Sequence, residues 1–235
     1  MAFPGAPVTV FEATVPGTSP IVATLTADVP LNEGLIVIVG GVTPSPMDNF
    51  DSITDSRGGL WEVFGPSDFS PNTLLALRDL PGYGKALFAG DQITMTFSGE
   101  NFEGAIVQAL AIPNANNWNF ANISPQLEGV TTVDPGTAVA GGFAAGAPAY
   151  DALFLNVIGT TGTISEAPGA PWSQSTSITN AGYVQTVSTA DGENSAGITL
   201  SATLQESATW VAWTGSFYYS GGSTSPRRPG GVKFV

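Results

Sequence analysis

The 235-residue chain contains no cysteine and no histidine. Without cysteine there is neither a disulfide framework nor a thiolate zinc site, and without histidine the usual general base, proton shuttle and commonest metal ligand are gone. Histidine-dependent catalysis is therefore excluded. A serine, threonine or tyrosine nucleophile has no evident activator, and Lys85 has no serine placed as a Ser-Lys pair would need. Positive charge is scarce as well: six Lys and Arg stand against nineteen Asp and Glu, a net charge of −13. That balance repels phosphate backbones and anionic membranes, so neither nucleic acid nor a membrane is expected as a partner. No apolar run approaches the roughly 20 residues of a membrane helix. The start, MAFPGAPVTV, lacks the basic and apolar segments of a signal peptide, and there is no GxxxxGK[ST] or GxGxxG context for a nucleotide. The expectation is a soluble protein that keeps its own start and needs no cofactor.

The chain does contain 29 Gly and 18 Pro, with only 11% charged residues. This composition favours short strands joined by punctuated turns over helices. Strands are expected at Val8–Thr14 and Ile21–Asp28, where apolar residues alternate. Leu35–Val39 is apolar on both faces, the mark of a central strand covered on both sides. Pro44 and Pro46 end any ladder pairing. Ile53 and the pair Trp61/Val63 then flank a Ser56-Arg57-Gly58-Gly59 turn. Thr73–Leu80 reads equally as strand or short helix. Asp91–Ser98 alternates clearly, and Ala105–Ile112 is a second doubly covered strand.

The stretch 114–149 is rich in Asn, Gly, Ala and Pro, with weaker strand signals at Leu127–Val133 and Thr137–Ala140. Beyond it the order recurs. Asp151–Gly159 resembles Leu35–Gly41, and Trp172 stands where Trp61 stood, although identity is too low to call this a repeat. A hairpin is expected from Tyr183–Val187 through an Asp191-Gly192 turn to Ser195–Leu204, and Thr209–Tyr219 closes the body. The expected fold is an all-β antiparallel sandwich, jelly-roll-like, forming one domain over 1–220, with a pseudo-duplication pivoting around 114–149. Residues 221–235 form a basic Gly/Pro-rich C-terminal arm. It holds three of the six basic residues and no acid, which leaves residues 1–220 at −16. Too poor in apolar residues to pack alone, it either frays or docks. Docked, its interface residues are Arg227, Arg228, Lys233 and Phe234.

Three groups of residues could carry chemistry. The acidic loop with Asp48, Asp51 and Asp55 offers the hard oxygens that calcium needs, but it lacks EF-hand spacing, and the plainer reading is that these side chains tie turns. A two-carboxylate glycan hydrolase would need a pair of acids at a set separation; Glu62, beside Trp61, is the best candidate. Trp118 and Phe120, in an Asn-rich loop, could stack on a sugar, whereas Trp61, Trp172 and Trp213 are expected in the core.

The succession GLIVIV, ITDSRGGLW, ITMTF and AIVQALAIP resembles β-sandwich structural proteins of tailed bacteriophages. The matching positions are Thr54, Asp55, Ser56, Gly58 or Gly59, and Trp61. The second half departs from the pattern in lacking the Asp-Ser before Trp172. The resemblance implies a non-enzymatic virion protein, assembled in the host cytoplasm, that decorates the capsid or forms part of the tail. Its partners would be copies of itself and other virion proteins. The alternatives are a carbohydrate- or receptor-binding module of a tail appendage, taking a cell-surface glycan, and the glycan hydrolase.

Overall fold

Leu35–Val39 sit at the middle of the molecule because hydrocarbon on both strand faces can be shielded from water only between two layers. All five residues are at most 1% exposed. The computed structural model describes residues 5–42, 50–64, 72–78, 85–98, 102–113, 117–119, 138–143, 151–163, 172–193, 198–203 and 208–219. Among these the first half has β1 (Val8–Thr14), β2 (Ile21–Thr24), β3 (Gly34–Val42), β4 (Phe50–Asp55), β5 (Trp61–Phe64), β6 (Asn72–Arg78), β7 (Gln92–Phe97) and β8 (Glu103–Ile112). The second half has β9 (Asn117–Asn119), β10 (Ala138–Phe143), β11 (Asp151–Thr160), β12 (Ser173–Asn180), β13 (Tyr183–Glu193), β14 (Ile198–Thr203) and β15 (Trp210–Tyr219). No helix occurs among the described residues.

Among the described residues every strand pair is antiparallel. The first half folds into a large sheet, β1-β8-β3-β6-β5, faced by a smaller one, β2-β7-β4. Strands that alternate between two facing sheets in this order make a jelly-roll-like sandwich. The second half repeats the order: β9-β15-β11-β13-β12 matches β1-β8-β3-β6-β5, and the ribbon β10-β14 matches β2-β7. Among the described residues, no strand of one half pairs with a strand of the other. The halves meet face to face through their large sheets.

Strand alternation sends the two faces of each large sheet into different cores. In β3, Leu35, Val37 and Val39 face the small sheet with Ile93, Met95 and Ile53. Ile36 and Ile38 point the other way, into a shared layer with Leu155, Val157, Val211, Trp213 and Phe217 of the second half. The far face of the second large sheet carries Phe154, Ile158, Trp172 and Trp210, packed with Ile198 of β14. The result is a stack of four sheets with three apolar layers between them.

Several sequence expectations change. Asn72–Arg78 is a strand, its run TLLAL hydrogen-bonded to β3 as the penultimate strand of the large sheet. β2 ends at Thr24, short of Asp28. The expected hairpin through Asp191-Gly192 does not form. β13 runs straight through those residues to Glu193, paired with β11, while β14 crosses to pair with β10. The actual hairpin is β12–β13, closed at Ala181-Gly182, both at positive φ, where the primed turns that match strand twist place their central residues. Part of the Asn-rich loop is a strand, because Asn117–Asn119 pair with β15. Leu127–Val133 lies outside the described residues.

Candidate functional site: the Asp55 tie and the polar seam between the halves

Asp55 ends β4 in the small sheet, and its carboxylate reaches across to the large one. Oδ1 accepts the backbone N–H of Arg57 at 2.8 Å, and Oδ2 accepts Gly59 N–H at 3.1 Å, Trp61 Nε1 at 3.1 Å and Arg78 Nε at 2.8 Å. The Asp55 side chain is 0% exposed and that of Arg78 5%. Burial raises the carboxyl pKa, but the bond from Arg78, the N–H groups of Arg57 and Gly59 and the Arg78 charge together outweigh it, so the value is lowered. A carboxylate that accepts several N–H bonds strongly favours its ionised form.

This arrangement explains the motif residue by residue. Gly58 has φ +72°, and a Cβ at Gly59 would collide with both Arg78 and Asp55. Trp61 is partly buried against the first core, less enclosed than expected, and its indole N–H is spent on Asp55. Arg78 also donates from Nη1 to the Lys85 carbonyl at 2.7 Å. Ser56 and Arg57 complete the clamp on the other side. Ser56 Oγ donates to Asp91 Oδ1 at 3.0 Å, and Arg57 Nε donates to Asp91 Oδ2 at 2.8 Å while its guanidinium lies 5.1 Å from the centre of the Phe88 ring. Asp91 also accepts Phe88 N–H. The Arg57 bond, with that of Phe88, pulls its pKa down to about 2. The stretch Asp55–Trp61 therefore pins the end of one sheet to the other.

Of the other sequence candidates, Asp51 is exposed and accepts Ser98 Oγ at 2.8 Å. Asp51 and Asp55 are four residues apart on one strand, about 13 Å by strand rise, with different partners. Asp48 lies outside the described residues. Among the described residues no three acidic side chains gather as metal ligands. Glu62 sits on β5, opposite Leu77. Trp118 is placed on β9 at the edge beside β15, and Phe120 lies outside the described residues. Trp172 and Trp213 are buried, at 6% and 2% exposure. Arg227, Arg228, Lys233 and Phe234 lie outside the described residues.

A second polar feature has no counterpart in the sequence reading. Between the halves, Thr73 Oγ1 lies 2.9 Å from the hydroxyl of Tyr183, which donates to Gln185 Oε1 at 3.2 Å. Gln185 Nε2 donates to Gln108 Oε1 at 2.6 Å, and Gln108 Nε2 to Glu12 Oε2 at 3.2 Å. Thr176 Oγ1 meets the same Glu12 oxygen at 2.7 Å. The seam runs from the interior to the surface and crosses from one half to the other three times. Tyr183 is fully buried, and burial pushes its hydroxyl pKa far up, so it stays a neutral donor. Gly40 of β3 and Gly159 of β11 make room for it, since a Cβ at either would strike the Tyr183 hydroxyl. Gln108, the one polar residue inside AIVQALAI, was the signal in the sequence for this seam.

Compared with protein-family models, curated proteins and solved structures, the chain matches none. Fold and geometry define it as an all-β, jelly-roll-like sandwich.

Proposed function

We propose that the chain is a non-enzymatic structural protein of a tailed-phage particle, on the capsid surface or in the tail, that engages neighbouring copies. The observation that supports this reading most is the commitment of Asp55. In the motif that carries the resemblance, the one buried carboxylate has four N–H donors on it, and what it does is hold two sheets together. The neighbouring Arg57, Arg78, Asp91 and Trp61 are engaged in the same clamp. A stiff, acidic body with a basic C-terminal arm suits an interlocking piece, in which Arg227, Arg228, Lys233 and Phe234 of one copy engage acidic surface on the next.

The test is composition. Tailed particles purified from the strain that carries the gene are predicted to contain the chain in many copies per particle by mass spectrometry. Particles without it contradict the reading. Assembly through the arm is predicted to weaken as salt rises, because exposed ion pairs are screened over roughly 8 Å at physiological ionic strength.

A further inference from the structure

Among the described residues the two halves share a strand order but differ by one strand. Between β3 and β5 lie 18 residues, 43–60, which include the six-residue β4; between β11 and β12 lie 12, residues 161–172. The second half is shorter there by the length of β4. Its outer sheet is correspondingly β10-β14, where the first half has β2-β7-β4. Among the described residues, β14 has β10 along one side and no strand along the other, the position β4 occupies beside β7. An edge of this kind presents backbone N–H and C=O groups to any strand that arrives. β14, ITLSAT, has neither a charge nor a proline to block one.

The chain's own C-terminus has the make-up of such a strand. After Tyr219 come Gly, Ser, Thr and Pro with Arg227 and Arg228, and then the chain ends Val232-Lys233-Phe234-Val235. Sixteen residues in extended form reach about 50 Å, enough to pass from one body to the next. The charges agree as well: Asp191 and Glu193 precede β14 and Glu206 follows it, while residues 221–235 carry three bases and no acid.

We propose that Val232–Val235 of one copy adds to the open edge of β14 in another copy, as the third strand of its outer sheet. Main-chain hydrogen bonds would give such strand addition its affinity, and handing a strand from each copy to the next builds rings or filaments. The proposal rests on the arm-mediated assembly described above and names the surface that receives the arm.

The chain has no cysteine, so introduced thiols report cleanly. A chain carrying only Ser201→Cys, or Ala202→Cys one register step along, is mixed with a tagged chain carrying only Lys233→Cys and oxidised. A mixed disulfide at one of the two positions is the expected result, together with wild-type chain sedimenting above the monomer and a chain lacking residues 221–235 sedimenting as a monomer. If the truncated chain assembles like the wild type, the arm reading and this proposal both fall. If truncation gives a monomer but neither position cross-links, the arm reading stands and β14 is not its receiver. If the Ser201→Cys/Lys233→Cys double variant closes only within one chain, the arm folds onto its own body and the exchange is overturned.

Discussion

In the first half the middle row on the outer face of the large sheet is Ala76, Val37 and Ala109, side by side on β6, β3 and β8. In the second half it is Ser188, Asn156 and Thr214 on β13, β11 and β15. The rows correspond, because Val37 and Asn156 each stand three residues before the glycine that makes room for Tyr183. All six side chains are at most 1% exposed. This middle row is hydrocarbon in one core, and hydroxyls and an amide in the other. Asn156 donates to Thr214 Oγ1, but its Oδ1 is buried without a partner, a state that costs about 1–3 kcal/mol for a polar group. The first half also has the Asp55 clamp and a third outer strand. Among the described residues, one strand order thus carries one sandwich closed by three outer strands and one closed by two. The second half draws on the first through the shared apolar layer and the Tyr183 seam.

The largest expected break in this comparison is Asp55→Ala. It leaves the Arg78 charge buried without its carboxylate, a loss of about 3–5 kcal/mol for a broken buried pair, measurable by urea denaturation. A cost near 1 kcal/mol would mean that the clamp contributes only a turn. Next is Val37→Asn, which writes the second half's residue into the first half's core. The row there has no hydroxyl to receive the amide, so a loss of about 3 kcal/mol is expected for a buried polar group without partners.

Acid attacks the same clamp. Asp55 and Asp91 have folded pKa values below their unfolded ones. Their contribution is therefore complete above the unfolded value of about 4 and is lost as pH falls through the folded values, about 2 for Asp91. Melting temperature should be flat above pH 5 and fall between pH 4 and 2, and Asp91→Asn should flatten that fall. The smallest effect is expected from Asn156→Val, within about 1 kcal/mol of wild type, because it removes an amide that is only half satisfied. A loss as large as that of Val37→Asn would show that Asn156 is fully bonded and that the two cores are equally sound.

The fold was legible where one residue class dominates both faces or alternates strictly. Leu35–Val39, Ala105–Ile112 and Gln92–Phe97 announced their burial by hydrophobicity alone, and the recurrence at Asp151 proved to mark an equivalent central strand. Pairing was less legible. Asp191-Gly192 is a hairpin signal by local chemistry, but β11 holds β13 straight through it, a tertiary preference that no local pattern carries. The acidic stretch was legible as a turn tie in Asp55. Its depth was not, because Arg78 lies 23 residues further on, at the end of a run that read equally as helix. The seam was hidden for the same reason: Tyr183, Gln185 and Gln108 converge only after two sheets stack.

Unequal closure of the two halves is tested most directly by native-state hydrogen exchange, which reads the opening free energy strand by strand. The prediction is that amides of β3, β7 and β8 exchange only through global unfolding, while those of β10 and β14 exchange faster through local opening of the outer ribbon. Equal protection of β7 and β14 in the monomeric chain would contradict it.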